Sequence, residues 1–232
     1  MPPREVLYEN FNKNRTLIVT FQAHADKIFA SPVEDVKVML NSLASMGYDV
    51  LKMDDTNDSF FFQGIDSERN TSEKTLELLS QYMKNYDTTI FMGNCVGAYV
   101  AILLGTTLNV DKVIGINTIT YLDQNTLFEQ GDGRESKVSF LDQNISKLNL
   151  RNHLSNLDYK TQIYSIVDQN TPTHVKQSQY IQQYPNVNIE YVDSPIPQVG
   201  RHLLQNGNLI NKIIGKIDTK GGGPGLEFPA EK

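Results

Sequence analysis

The feature that most constrains the fold is a glycine-flanked cysteine between an apolar strand and an apolar helix. Residues 88–92 (TTIFM) run directly into residues 93–97 (GNCVG), and the apolar segment 98–104 follows without a break. A Gly-x-nucleophile-x-Gly turn at such a junction holds its central residue in a strained conformation. The glycines let the strand and helix backbones approach closely, and side chains at those positions would collide with their neighbours. We therefore predict a sharp strand-to-helix turn with Cys95 at its tip.

Short apolar runs alternate with segments of helical periodicity along most of the chain. The predicted strands are residues 16–21, 48–53, 88–92, 110–116, 160–167 and 187–192. The predicted helices are residues 33–46, 71–86 with Ser72 as its expected cap, 98–104 and 206–217. Strands that alternate with helices imply βαβ units. We therefore predict an α/β fold with a mainly parallel sheet flanked by helices.

Residues 121–158 interrupt this alternation. The segment is polar, contains Gly131-Asp132-Gly133 and is too long for a plain connection. We expect helical pieces that form a small lid over one end of the sheet, and a surface excursion without a role is the alternative. Residues 220–232 are rich in glycine and proline, resemble a cloning remnant and predict a flexible tail. One domain is therefore assigned to residues 1–219.

Charge and cysteine content narrow the class of protein. The 232 residues carry a formal net charge of −6, which disfavours general affinity for nucleic acid or an anionic membrane. No apolar stretch is long enough to span a membrane, and the N-terminus lacks the apolar core of a secretory signal. A single cysteine excludes an intramolecular disulfide and a cysteine-based zinc site. We expect a cytoplasmic protein with no cofactor, and its oligomeric state is left open.

Cys95 is interpreted as a nucleophile rather than as a core residue. The free N–H groups and positive dipole end of the following helix stabilise a thiolate, and the Val96 N–H can point at a developing oxyanion. Free cysteines are among the most buried residue types, so a structural cysteine is the competing interpretation. The apolar strand before the turn and the apolar helix after it favour the nucleophile.

The stretch 90–99 (IFMGNCVGAY) resembles the nucleophile elbow of the α/β-hydrolase superfamily, where Gly-x-Ser-x-Gly is usual. The resemblance spans residues 16–217, but only the elbow is specific. It implies an α/β-hydrolase-like fold and a covalent acyl-enzyme at the elbow. Dienelactone hydrolases and polyhydroxyalkanoate synthases also use a cysteine there. The cysteine favours thioester chemistry or acyl transfer over simple esterase activity, and an engineered replacement of serine is the other explanation.

The order of catalytic residues in the superfamily is nucleophile, acid, histidine, and it implies two further residues. His202 follows the last predicted strand, where the histidine loop of the superfamily lies, and a surface histidine is the alternative. Asp168 ends the strand 160–167 and would hold His202 in the right tautomer. A turn or helix-cap aspartate is the alternative for Asp168. Asp193 follows the strand 187–192 and is the rival acid.

The loop after the first predicted strand, residues 21–26 (FQAHAD), supplies the second oxyanion N–H in the superfamily. Ala23 is the best match, His24 could instead contact the substrate, and a simple polar loop is the alternative. His153 lies in the predicted lid, and His174 is expected at the surface or at the rim of a pocket. The spacing of the histidines does not suggest a metal site.

These expectations combine into a hydrolase of an ester or thioester. Cys95, His202 and Asp168 would form the catalytic triad, and the amides of Val96 and Ala23 would form the oxyanion hole. The expected substrate is a small-molecule or carrier-bound acyl compound, without a nucleic-acid partner or a membrane span. An acyltransferase with the same triad and a non-catalytic binding protein of this fold are the alternatives.

Overall fold

A computed structural model describes residues 7–11, 14–22, 33–56, 59, 61–121, 149–196 and 199–217. The described strands are β1 Leu7–Asn10, β2 Thr16–Gln22, β3 Asp49–Asp54, β4 Thr88–Asn94, β5 Lys112–Ile116, β6 Gln162–Asp168 and β7 Val187–Val192. The described helices are α1 Val33–Ser45, α2 Ser72–Met83, α3 Val96–Thr107, α4 Leu150–Ser155, α5 Pro172–Gln179, α6 Val199–Gln205 and α7 Asn208–Ile217.

The seven described strands form one sheet in the order β1-β3-β2-β4-β5-β6-β7. β1 pairs antiparallel with β3, and the other six strands are mutually parallel. The predicted mainly parallel sheet flanked by helices is therefore confirmed. Strand β1 was not predicted, because its four residues (LYEN) contain no apolar run that would signal a strand.

Helices cover both faces of the sheet, and an apolar cluster lies under each layer. Successive side chains of a strand point to opposite faces. Phe91 of β4 accordingly lies in the cluster beneath α3, whereas its neighbours Ile90 and Met92 lie in the cluster beneath α1 and α7. Because both faces are covered, the central strands are continuous apolar runs rather than alternating ones.

The helix that follows the predicted turn, α3, is buried almost all round. Ten of its twelve residues are buried. A helix that is apolar on every side belongs in a protein core. Gly105 marks a close approach of α3 to the sheet, since a Cβ atom there would lie 2.6 Å from Val113 Cγ2 on β5. The apolar helix predicted for residues 98–104 is therefore present as part of α3, which lies in the core of one helical layer.

Several predicted boundaries shift in the structure. Thr71, not Ser72, caps α2, because its hydroxyl accepts the Lys74 N–H at 3.3 Å. The helix predicted for residues 206–217 begins at Asn208, and the separate helix α6 precedes it. Gly207, with φ of 69°, lies between the two helices. A left-handed glycine commonly ends a helix, so Gly207 separates α6 from α7. The predicted helix therefore begins two residues later than the apolar periodicity indicated.

The predicted lid, residues 121–158, lies mostly outside the described residues. Of this segment, Tyr121 and residues 149–158 are described, and Tyr121 pairs with Asn149 in an antiparallel bridge. The helix α4 packs on α3 and buries Leu150 and Leu154. The lid therefore stays a prediction. The flexible tail at residues 220–232 also stays a prediction, because it lies outside the described residues. Among the described residues, no helix has the length and apolar character needed to cross a membrane.

Candidate functional site

The turn between β4 and α3 holds Cys95 in a strained backbone conformation. Its φ is 54° and its ψ is −115°, a region that residues with side chains rarely adopt. The Cys95 N–H donates to Ile116 O of β5 at 2.8 Å, and the Cys95 carbonyl accepts the N–H of Tyr99 at 3.2 Å. The neighbouring strand and the following helix thus hold the conformation from both sides. The predicted sharp turn is present.

The two glycines of the turn are required by close backbone contacts. A Cβ atom at Gly93 would lie 2.1 Å from the carbonyl carbon of Gly97, and one at Gly97 would lie 2.4 Å from Phe21 O. Both distances are far shorter than any real carbon contact, so the predicted collisions are confirmed. The second contact also brings the start of α3 against the end of β2.

Cys95 lies at the tip of this turn and is half-buried. It is the N-cap of the twelve-residue helix α3. The first N–H groups of a helix have no partner within the helix, and they carry the positive end of its dipole. The Val96 N–H is the first of these groups. A half-buried thiol at such a position differs from the fully buried cysteine that the competing interpretation expects.

Asp168 ends β6 and is buried, with 1% of its surface exposed. One carboxylate oxygen accepts the N–H of Asn170 at 3.0 Å, and the other accepts the hydroxyl of Thr171 at 2.5 Å. Its own backbone N–H donates to Asn117 Oδ1 at 3.1 Å. The carboxylate is therefore fixed at the carboxyl edge of the sheet, where parallel α/β sheets bind ligands.

The rival carboxylate, Asp193, follows the neighbouring strand β7 and is exposed. Its Oδ1 accepts the Asn170 side-chain amide at 2.8 Å, and the backbone N–H of Asn170 donates to Asp168. Asn170 thus links the two carboxylates. They lie at the ends of adjacent strands but differ in exposure.

His202 lies after β7 and before α7, as its place in the predicted order requires. It lies in the short helix α6 and is half-buried. The Asn206 side-chain amide is 3.2 Å from both of its ring nitrogens. Within the part of the chain that the structure describes, the ring makes no hydrogen bond to Asp168 or Asp193. The structure brings the ends of β6 and β7 together, but the His202 ring contacts the Asn206 side chain rather than either carboxylate.

Ala23 and His24, the predicted contributors from the first loop, lie outside the described residues. The last described residue before them is Gln22, which pairs with Asp54 at the carboxyl edge of the sheet. The assignments of Ala23 and His24 therefore stay predictions.

Two further histidines are buried more deeply than the sequence analysis suggested. His153 of α4 has its Nε2 at 2.9 Å from Thr106 Oγ1 of α3, and burial lowers the pKa of His153. Burial also lowers the pKa of His174 on α5, and the nearby Asp168 carboxylate opposes that shift. No local motif distinguishes these residues, and the partner of His153 comes from α3, which is distant in the sequence. Among the described residues, no group of three or more His, Cys, Asp or Glu could hold a metal ion.

No protein-family model matches the chain, and no curated protein matches it significantly. Similar solved structures include the capsule O-acetyltransferase of Neisseria meningitidis serogroup A, with 17% identity, a TM-score of 0.63 and coverage of 88% of this chain and 90% of that one. A structure of that acetyltransferase with CoA has 16% identity, a TM-score of 0.60 and coverage of 88% and 94%. A lipase-esterase related protein from Clostridium acetobutylicum has 15% identity, a TM-score of 0.57 and coverage of 90% and 98%.

At such identities the likeness concerns the fold alone. The chain has an α/β-hydrolase-like fold, and Cys95 lies at the turn between β4 and α3.

Proposed function

We propose that the protein hydrolyses an ester or thioester through a covalent thioester intermediate on Cys95. The observation that carries the proposal is the strained Cys95 conformation, with φ of 54°, in a turn where neither glycine can be replaced without a backbone collision. A buried structural cysteine has no need of such a turn. Strain of this kind persists where the surroundings enforce it, and it is common at active sites.

In this proposal, Asp168 orients His202, and His202 accepts the thiol proton of Cys95. Cys95 follows β4 and Asp168 ends β6, with β5 between the two strands, so their backbones are about 10 Å apart at the usual strand spacing. A carboxylate, an imidazole and a thiol together span such a distance. The proposal requires that the His202 ring leave the Asn206 side chain. Catalytic hydrogen bonds are often long before substrate binds.

The oxyanion hole is assigned to the N–H groups of Val96 and Ala23. The close contact between Gly97 and Phe21 O supports the pairing, because it brings the start of α3 next to the chain segment that leads to Ala23. Preorganised N–H donors stabilise the charge that develops on the carbonyl oxygen during attack. His24 remains the alternative contact with the substrate.

The proposed reaction has two steps. In the first, the Cys95 thiolate attacks the acyl carbonyl, the carbon–oxygen or carbon–sulfur bond of the donor breaks, and His202 gives its proton to the leaving group. In the second, His202 removes a proton from water, the oxygen attacks the thioester, and Cys95 leaves as the thiolate. The donor is a small-molecule or carrier-bound ester or thioester. A thiol nucleophile must stay reduced, so we place the reaction in the cytoplasm.

Acyl transfer to an alcohol is the second candidate for the second step. It is favoured by the likeness to the meningococcal capsule O-acetyltransferase, which was also solved as a complex with CoA. The site chemistry is the same, and the acceptor replaces water. Partition of the acyl-enzyme between water and added alcohols separates the two activities. A non-catalytic binding protein, the third alternative, would keep its ligand affinity after removal of Cys95.

Intact-mass measurement tests the proposal directly. Exposure to acetyl-CoA or p-nitrophenyl acetate is expected to add one acetyl group to the protein, and Cys95→Ala is expected to abolish the adduct. Rapid alkylation of native Cys95 by iodoacetamide at mildly acidic pH is the independent check of an activated thiol. Alkylation only after unfolding, together with no adduct, contradicts a catalytic Cys95.

A further inference from the structure

The inner face of α5 carries a histidine that the proposed reaction does not use. His174 lies one helical turn before Gln177 and Ser178, and residues at this spacing share a helix face. Gln177 and Ser178 are buried, and Gln177 Oε1 accepts the N–H of Thr120 at 2.7 Å. Because α5 begins just after β6, His174 lies nearer than Gln177 to the carboxyl edge of the sheet, on the side of Asp168.

The charge state of His174 follows from its surroundings. Burial lowers the pKa of His174, and the Asp168 carboxylate raises it in part. The net effect favours the neutral ring at neutral pH. A neutral imidazole has one N–H donor and one nitrogen that accepts hydrogen bonds.

The Nδ1 atom of His174 is buried and has no hydrogen-bond partner among the described residues. The turn at Asp168 does not need it, since the two carboxylate oxygens already accept Asn170 N–H and the Thr171 hydroxyl. Buried polar atoms without a partner cost folding free energy and are rare in native proteins. A bound molecule with a hydroxyl group would satisfy this atom.

We propose that His174 determines acceptor specificity by hydrogen bonding a hydroxyl group of a polyhydroxylated acyl acceptor, such as a sugar. This proposal rests on the proposed acyl-enzyme at Cys95, because an acceptor is needed only after that intermediate forms. Asp168 lies two strands from Cys95, about 10 Å at the usual strand spacing. A water molecule or a monohydric alcohol that attacks the thioester has no second hydroxyl group with which to bind His174. A sugar can attack with one hydroxyl and bind His174 with another.

Binding is tested first without turnover, by nitrogen NMR of the Cys95→Ala protein. The Nδ1 resonance of His174, assigned by its loss in the Cys95→Ala, His174→Asn double variant, is expected to shift saturably with methyl glucoside. Ethanol, which has one hydroxyl group, is the matched control and is expected to leave the resonance unmoved. The proposal is overturned if the chemical shift of the His174 Nδ1 resonance does not change with methyl glucoside, or changes equally with ethanol.

The kinetic test follows partition of the acetyl-enzyme, formed from p-nitrophenyl acetate, between water and methyl glucoside. His174→Leu is expected to lower transfer relative to hydrolysis about tenfold, the effect of one hydrogen bond between neutral groups. His174→Asn, which keeps an acceptor atom near the Nδ1 position, is expected to retain most transfer. The exposed neighbour Thr173→Ala is the matched control on the same helix turn.

The burst of nitrophenol reports acylation of Cys95 separately, so the two proposals fail in different ways. Absence of a burst from the unsubstituted protein overturns the acyl-enzyme, and the NMR titration then decides alone whether His174 binds the sugar. A normal burst with unchanged partition in His174→Leu overturns the role of His174. If His174→Leu folds poorly, the His174→Asn variant and the NMR titration of the intact histidine still test whether His174 binds the acceptor.

Discussion

The backbone N–H of Asp168 donates to the side-chain oxygen of Asn117 at 3.1 Å, although the residues are 51 positions apart. Asn117 has φ of 46°, a left-handed conformation that asparagine tolerates better than most residues. Its own N–H donates to Ile166 O of β6 at 2.8 Å, and the N–H of Cys95 donates to Ile116 O. Residues at the end of β5 therefore connect the turn at Cys95 with the turn at Asp168.

Replacing Asn117 is expected to destabilise the protein, because the hydrogen bond from the Asp168 N–H to the Asn117 side chain is lost. Asn117→Gly keeps the left-handed conformation but leaves the Asp168 N–H buried and unpaired, which costs about 1–3 kcal/mol of unfolding free energy. Asn117→Ala is expected to lose about 1–2 kcal/mol more, because alanine is strained in that conformation. Urea unfolding of the purified variants measures both losses.

The matched control is Asn109→Gly. Asn109 also has a positive φ, of 53°, and its side chain accepts the Lys160 N–H at 2.9 Å, but in an exposed turn. Water replaces the lost bond there, so the loss is expected to be smaller. Equal losses for Asn117→Gly and Asn109→Gly contradict a special role of the Asn117–Asp168 bond.

Gly97→Ala is expected to disturb the nucleophile turn. The new methyl group meets Phe21 O at 2.4 Å, and a backbone atom in a parallel sheet has little room to move. We expect a loss of about 1–3 kcal/mol of unfolding free energy, as for other overpacked cores, and slower acylation of Cys95. Thermal and urea unfolding measure the first effect, and the nitrophenol burst measures the second.

Gly215→Ala on α7 is the control for this substitution. No atom lies within 4 Å of a Cβ built at Gly215, so alanine meets open space there. A helical glycine replaced by alanine is expected to gain about 0.5–1 kcal/mol. If Gly97→Ala changes the free energy of unfolding in the same way as Gly215→Ala, the close contact between α3 and β2 is contradicted.

Asp168→Asn is expected to slow formation of the acyl-enzyme by about 10²–10⁴-fold, because an amide cannot stabilise the His202 imidazolium. Asp193→Asn is expected to have little effect, since Asp193 is exposed and contacts Asn170. Single-turnover measurements of nitrophenol release compare the two variants under the same conditions. The reverse pattern assigns the acid role to Asp193, and no effect of either indicates a Cys95–His202 dyad.

His153 is expected to make folding stability depend on pH. Thr106 donates its hydroxyl to Ile102 O at 2.7 Å, so its oxygen accepts the His153 Nε2–H. Burial lowers the pKa of His153, so the unfolded chain takes up a proton at higher pH than the folded protein does. The stability from neutral His153 is therefore complete above about pH 6.5 and is lost as the pH falls below that value.

Urea unfolding at about pH 7.5 and about pH 5.5 measures this effect in the unsubstituted protein and in His153→Gln. Glutamine keeps a donor for Thr106 but does not titrate, so the variant is expected to lose less stability on acidification. His174→Gln is the companion variant, because burial lowers the pKa of His174 as well. An identical pH dependence in all three proteins contradicts the expectation.

Most of the secondary structure could be predicted because its signals are local. The run 88–92 is apolar and β-branched, and the structure extends it by two residues to Asn94. Ends were less predictable, since Gly207 divides two helices and Thr71 rather than Ser72 provides the cap. The place of His202 between β7 and α7 followed from chain order, but its bond to Asn206 depends on a side-chain rotation that no sequence pattern specifies.

The sequence by itself determined the alternation of strands and helices and the glycine-flanked turn at Cys95. Periodicity, and the close backbone contacts that only glycine permits, act over a few residues. Only the tertiary structure decided that Asn117 holds the backbone of buried Asp168, and that burial lowers the pKa of His174 while the Asp168 carboxylate opposes the shift. Those relationships join residues on different strands and helices, and burial and electrostatic contact arise only once the sheet has assembled.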